Sequence, residues 1–196
     1  KIGVRVWIKD HSLGLAPVAF VFVQSEERFY TNCASCASFD IEHAVSHALM
    51  EVEASVLARL QNGPVKFVPP RRVVMPLDHG ALYEHKRFFR RADFMIYGHE
   101  KKAFKDLGKG VAQSWRALLD RFAAKAWRFF TVPFFLSDEH GGNHGLHIIR
   151  SIVPGMVPMT FGYGQEPAGM ERIYTTARES GNRTILYRDL PRFPHP

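Results

Sequence analysis

The sequence predicts an α+β protein: a mixed or antiparallel sheet with helices packed against it. Three observations support this. Two apolar stretches near the start, GVRVWI (3–8) and APVAFVFVQ (16–24), have strand length and strand patterning, and the polar, glycine-containing KDHSLGL joins them as a hairpin or sheet edge. From Asp40 the pattern changes to a helical period, with Ile41, Val45, Ala48, Leu49, Val52, Val56 and Leu60 on one side. Strand-like segments return late in the chain as RFFTVPFF (128–135) and LHIIRSIVP (146–154).

Taken in order, Asp40 is the N-cap of the first helix, and Asn62, Gly63 and Pro64 end it. The small residues Ala34 to Ser38 form a tight turn approaching that helix. Residues 65–85, VKFVPPRRVVMPLDHGALYEH, carry too much proline for regular structure throughout and read as an ordered surface loop with short extended bursts. A second helix is expected within residues 107–127, with Val111, Trp115, Leu118, Leu119 and Phe122 on one side. SDEHGGNHG (137–145) is a glycine-rich turn. In the strand after it, His147, Ile149 and Ser151 alternate with Ile148, Arg150 and Ile152 until Gly155 and Pro158 break the pattern. The tail YRDLPRFPHP is extended, because its prolines fix φ and forbid a helix. No internal repeat or low-complexity segment is present.

At 196 residues the chain is one domain or a large piece of one. It opens on Lys1 and at once on the apolar run KIGVRVWI, the pattern of a piece that begins at a strand. No stretch approaches about eighteen consecutive apolar residues and no secretory signal precedes the first strand, so a soluble cytoplasmic protein with no membrane contact is expected. Two cysteines three apart cannot staple a fold of this length, which suits a reducing compartment. The net charge of +7 and pI near 9.6 would draw nucleic acid, an acidic peptide or a phosphorylated ligand alike. The clearest basic run, EHKRFFRRADF (84–94), has phenylalanines between its cations. No RRM, KH, zinc-finger or helix-turn-helix pattern surrounds it, which argues against nucleic acid.

Two readings compete for NCASCASFDIEHAVSHALMEVEAS (32–55). Cys33, Cys36, His43 and His47 form C-x2-C-x6-H-x3-H, four tetrahedral zinc donors in kind, but a finger needs about a dozen residues between its pairs to turn the chain back. On a helix, His43, His47, Glu51 and Ser55 stand four apart in one column beside the apolar face. Such a column either lines a site or is a solvated helix edge. His47, one turn before Glu51, joins it as a cofactor-binding candidate on this spacing.

Read together with three later stretches, this helix resembles the YcaO family. Ala48-Leu49-Met50-Glu51 is similar to the family's A-L-x-E-x-x-Q helix. PLDHGALY (Pro76 to Tyr83) resembles its "plDHalLY" segment, LHIIRSIVPGMVPMTFG (Leu146 to Gly162) its VPG segment, and PRFPHP its proline-rich carboxyl terminus. The motifs follow the family's order across nearly the whole chain, so residues 1–196 are expected to be the carboxyl-terminal part of a single YcaO domain with the YcaO-type fold. The family's first glutamate motif, S-x-E-x-x-E-R, and the amino-terminal half around it have no counterpart here.

The resemblance implies ATP and Mg2+ as cofactors, with Glu51 as the metal and nucleotide glutamate. It implies phosphorylation of a peptide amide oxygen, so that thiazoline or oxazoline rings form from Cys, Ser or Thr of a ribosomally made precursor peptide. Arg150 is a candidate cation near phosphate or substrate, and Pro194 and Pro196 belong to a tail that helps organise the active site. Asp78 and His79 match the family's Asp-His pair, and hydrogen bonding within the loop accounts for them best. Implied partners are the precursor peptide, a leader-peptide-binding protein and a flavin-dependent dehydrogenase, in a homodimer or hetero-oligomer. Ala54 departs from the pattern where the family carries Gln or Glu. Thioamide or amidine formation on the same scaffold, or a catalytically degenerate subunit that binds peptide or partner, are the alternatives.

Overall fold

The computed structural model describes residues 3–97, 101–134, 148–179 and 181. Its first three strands, β1 (Arg5–Asp10), β2 (Val18–Ser25) and β3 (Tyr30–Ala37), form an antiparallel sheet in the order β1-β2-β3. The β1–β2 loop turns at Leu13 and Gly14, both with positive φ, and Ser12 Oγ accepts a hydrogen bond from Val18 N to close it. β3 corrects the sequence reading, which placed a tight turn at Ala34–Ser38. Ala34 to Ala37 pair with β2 in the register Val18↔Ala37 to Val21↔Ala34, and Ser38 follows the strand. They lack the β-branched side chains that mark a strand, and the free edge of β2 recruits them.

β2 is buried on both faces. Ala19, Val21 and Val23 face α1 (Ile41–Asn62), where Ala44, Val45, Ala48, Val52 and Val56 cover them. The Asp40 carboxylate accepts hydrogen bonds from the backbone N–H of Glu42 and His43, and Gly63 with φ 73° ends the helix, as the sequence predicts.

On the opposite face, Phe20 and Phe22 pack against Val73, Leu82, Tyr83, Phe88 and Ala92. These come from the stretch expected to be loop and from the basic run after it. The structure instead shows a 3-10 turn at Pro70–Arg72, then α2 (Pro76–Tyr83), α3 (Lys86–Phe89) and a 3-10 helix at Arg90–Met95. The correction has a local cause: Pro76 occupies the first helical turn, where its missing N–H costs nothing. Asp78 Oδ2 accepts from Val74 N and Met75 N at 2.9 and 3.0 Å, fixing the entry.

α4 (Trp115–Ala124) is shorter than expected, because Gly108 and Gly110 take positive φ and Ser114 caps the helix through Ala117 N. Leu118 and Phe122 are buried with Ala112, whereas Trp115 is 64% exposed and meets the edge of Phe39. β4 (Phe130–Phe134) and β5 (Ile148–Ile152) form a separate antiparallel pair, matching the two late strands of the sequence reading. α5 (Glu171–Glu179), which the sequence reading missed, docks near α4 through Arg172 over the Trp127 ring and the Lys125–Glu179 ion pair. No described helix is long and apolar enough to cross a membrane. The glycine-rich turn, Leu146, His147 and the tail with Pro191, Pro194 and Pro196 lie outside the described residues.

The β1–β2 corner sets a pH dependence. Burial pushes the Asp10 carboxyl up, but hydrogen bonds from the Ser12 hydroxyl, Lys102 and the backbone N–H of Ser12 and Gly108 outweigh it and hold the group at about 2 against an ordinary 3.8. Burial, helped by the nearby Lys9, moves His11 below its ordinary 6.5. In both windows the unfolded chain binds more protons than the folded one, so stability falls with acidification. The expected result is a decline beginning near pH 6.5 and a further one between pH 3.8 and about 2. Denaturation midpoints across pH should show Asp10→Asn losing the lower step; an unchanged lower step would remove Asp10 as its source.

Candidate functional site

Glu51 lies in the middle of α1, on the side turned away from the sheet. Its side chain is 52% exposed, and its Oε1 is 3.4 Å from Nδ1 of His47, itself 49% exposed. The helix is anchored along its whole opposite side by the β2–β3 core, so this pair stands on rigid backbone. An exposed pair of this kind adds little to stability. His43 continues the exposed column, its ring centroid 6.1 Å from that of His47.

Ser55 does not extend the column. Its hydroxyl donates to the Glu51 backbone carbonyl, and the residue is half-buried. Four-residue steps on a helix drift by about 40° each, enough to carry the fourth member round toward the sheet. Ala54, exposed and three residues beyond Glu51, presents a methyl group on the accessible side.

The cysteines separate from the histidines. Cys33 and Cys36 are three apart on β3, so their side chains take opposite faces. Cys33 packs with the Phe20/Phe22 cluster, where burial raises its pKa, and Cys36 packs with the clusters under α1. Among the described residues no group of three or more His, Cys, Asp or Glu is placed to hold a metal ion.

Asp78 and His79 are structural. Two backbone N–H bonds hold the exposed Asp78 carboxyl below its ordinary range. His79 is 5% exposed, and its Nε2 accepts from Gly162 N at 3.0 Å, which places the ring proton on Nδ1. Tyr163 N donates to Val73 O at 2.9 Å. Gly162, at φ 106°, passes close enough that a Cβ would meet the carbonyls of Val73 and Val74 at 3.4 Å. Two of the motif segments, PLDHGALY and MTFG, are thus stitched together although 83 positions separate His79 from Gly162.

Arg150 lies on β5 opposite Val132. The expected alternation does not bury one face, since all five β5 residues are exposed. Val153, just past β5, and Phe39, just before the α1 cap, both pack against the Ala112/Leu118/Phe122 cluster. The strand carrying Arg150 and the helix carrying Glu51 therefore leave from a common cluster.

Two surface cavities flank the sheet face opposite α1. One, of about 330 Å³, includes arginines already matched by carboxylates: Arg5 and Arg90 with Glu26, and Arg90 with Asp93. The other, a groove of about 410 Å³, is lined by Arg71, Arg87, Arg91, Phe88 and Tyr163 over Pro69 and Pro70. The sequence reading noted the basic run but not this groove. The cation–phenylalanine interleaving was its one local signal, while Arg71 and Tyr163 arrive from distant positions.

Mg2+ is a hard ion that takes one or two protein carboxylates and completes its shell with phosphate and water. Glu51 suits one such position, and His47 can orient its carboxylate. No curated protein matches the chain at a significant level. The family model described as YcaO cyclodehydratase, ATP- and Mg2+-binding, matches residues 1–157, and ATP and Mg2+ are the cofactors it brings. With four-fifths of its length matched and an α+β fold of antiparallel sheets and packed helices, the chain belongs to the YcaO family.

Proposed function

We propose that the chain acts as an azoline-forming cyclodehydratase, closing thiazoline or oxazoline rings from Cys, Ser or Thr of a ribosomally made precursor peptide. The observation that carries this reading is the rigid presentation of Glu51, the residue of the motif resembling the family's glutamate helix, with His47 against it. ATP would supply the phosphoryl group that lets the amide oxygen leave as phosphate once the Cys, Ser or Thr side chain has added to the amide carbon, and Mg2+, which Glu51 would help to hold, would screen the phosphate charge. This chain's part is to hold and position. Glu51 contributes one metal oxygen, His47 orients that carboxylate, and Arg150 offers a cation toward phosphate or substrate. Pro194 and Pro196 belong to a tail proposed to complete the site. A leader-peptide-binding protein and a flavin-dependent dehydrogenase are the proposed partners, and a homodimer or hetero-oligomer the proposed assembly.

A second reading has its own observation. Among the described residues no group of three or more His, Cys, Asp or Glu is placed to hold a metal ion, and Ala54 gives no polar group three residues beyond Glu51, which suits a degenerate subunit that binds peptide or partner without turning over ATP.

Calorimetric titration of a Mg2+-bound, slowly hydrolysed ATP analogue into the complete protein separates the two. Native protein is expected to bind with metal dependence, and Glu51→Gln to raise Kd by at least about tenfold, some 1.4 kcal/mol. Glu53→Gln, two residues away on the same helix, should leave Kd within about twofold. Absence of binding by native protein would leave the scaffold reading standing.

A further inference from the structure

β1 is one edge of the three-stranded sheet, and among the described residues no strand pairs with its outer side. The register fixes which backbone groups this leaves over. His11 N donates to Val18 O at 2.9 Å, and the same register sets Lys9 opposite Phe20, Trp7 opposite Phe22 and Arg5 opposite Gln24, so the odd residues of β1 bond to β2. β2 agrees from its other side. Ser38 N donates to Pro17 O, so the odd residues of β2 bond to β3 and the even ones to β1. The N–H and C=O groups of Val6 and Ile8 therefore point away from the sheet. Past them, at Asp10, Lys102 and the backbone of Gly108 come in against the carboxylate and limit the open edge.

The side chains along this edge differ between its two faces. Val6 and Ile8 lie opposite Val23 and Val21, on the face that carries α1, but the helix lies over β2 and β3 and leaves them 49% and 40% exposed. On the other face, Arg5 and Trp7 line the cavity of about 330 Å³, with Ile96 and Tyr97 among its walls. Main-chain groups at an open edge, apolar side chains on one face and a cavity on the other make the surface to which an extended segment adds as a strand. Main-chain bonds then hold the segment, and its alternate side chains are read on separate faces.

We propose that the Val6–Ile8 edge binds an extended stretch of the peptide substrate as a fourth, antiparallel strand, with apolar residues at alternate positions. The inference rests on the reading that the chain acts on a peptide, and it names how that peptide is held. The existing pairs are antiparallel, and an antiparallel addition uses both groups of Val6 and both of Ile8. The peptide residues that bond to them face the same side as Val6 and Ile8, which selects apolar side chains there. A second copy of the chain fits this edge poorly. Two β1 strands joined through Val6 and Ile8 set Arg5 opposite Lys9 of the other copy twice over, and like charges directly opposite are destabilising. Centring the pair on Ile8 instead sets Val6 against Asp10, where Lys102 and Gly108 stand. A peptide with no cation opposite Arg5 and Lys9 meets neither obstacle.

Amide hydrogen exchange on the complete protein, read by residue with NMR, tests the edge, and fluorescence anisotropy tests the peptide. In free protein the amides of Val6 and Ile8 are expected to exchange at least about a hundredfold faster than those of Trp7 and Lys9. A short fluorescein-labelled peptide alternating valine with threonine between terminal glutamates is expected to bind and to slow them at least about tenfold. N-methylation of its valine amides, which face the edge, should weaken binding at least about tenfold, and N-methylation of its threonine amides by under about threefold. Ile8→Pro removes an outward N–H without touching the β1–β2 ladder and is expected to lose at least about tenfold, while Ile8→Thr stays within about threefold. Should Ile8→Pro fail to fold, the two methylated peptides decide. Slow exchange of Val6 and Ile8 in free protein would mean that the chain covers its own edge. Protection that rises with protein concentration alone would assign the edge to a second copy. Either result overturns the proposal, as does valine methylation that weakens binding no more than threonine methylation, or native affinity in folded Ile8→Pro. Mg2+-nucleotide binding by native protein, measured in parallel, tests the Glu51 reading separately.

Discussion

Phe22→Ala is expected to lower the unfolding free energy by about 3–5 kcal/mol, the range for truncating a fully buried phenylalanine to alanine. Phe22 is 0% exposed, in the central strand of the three-stranded sheet, with its ring 5.9 Å from Trp7 and packed among Val73, Leu82, Tyr83 and Phe88. Two layers of structure meet on that side chain, so little can collapse into the space it leaves. Domains of this size have about 5–15 kcal/mol in total, so the variant is expected to lose roughly a fifth or more of its stability. Urea denaturation reads the change directly. Val23→Ala, on the other face of the same strand, is expected to lose less, because fewer methyl groups are removed. A loss below about 1 kcal/mol for Phe22→Ala would mean that α2 and α3 do not cover this face as described.

The second large effect is at the ion pair between Arg59 of α1 and Glu84 just after α2, whose side chains are only 12% and 9% exposed. Burial raises the Glu84 pKa even though Arg59 pulls it down, so at this carboxyl the burial cost outweighs the attraction to its partner. Removing one partner strands the other, with an expected loss of about 3–5 kcal/mol, whereas replacing both by well-packed apolar residues is expected to be close to neutral. The two single variants should also differ in their response to acid. In Arg59→Met, Glu84 loses its partner and its pKa rises further, so folded protein binds more protons than unfolded above the ordinary 4.5. Stability is therefore regained as pH is lowered from 7 toward 5. Glu84→Leu leaves a guanidinium that cannot shed its proton, and no such recovery is expected. Denaturation of both single variants and the double variant at two pH values checks the cycle; parallel pH responses in the two single variants would rule out this assignment of the burial cost.

The parts of the fold that were legible are those with strong local signals. α1 has a helical apolar stripe, an aspartate cap and a glycine stop, and each falls where the sequence puts it. The β1–β2 hairpin and the two late strands were equally plain. β3 was not, because alanine, serine and cysteine do not favour a strand on their own; pairing with β2 makes it one. α2 was hidden by proline, a residue that breaks a helix from within but begins one well. At the candidate site, Glu51 stood out by its resemblance to the family's helix motif, but the drift of the helix removed Ser55 from the column, and β3 sent Cys33 and Cys36 to opposite faces.

By itself the sequence determined the family, the α+β class, the main helix and the position of Glu51, since each is written in a contiguous stretch whose spacing or motif survives without knowledge of contacts. Tertiary structure alone decided that the sheet is covered on both faces, that His79 holds Gly162 from 83 residues away, and that Arg71 and Tyr163 join the basic run around one groove. The physical reason is common to all three. Burial and hydrogen bonding between residues distant in the chain depend on how the layers stack, and no local periodicity records that.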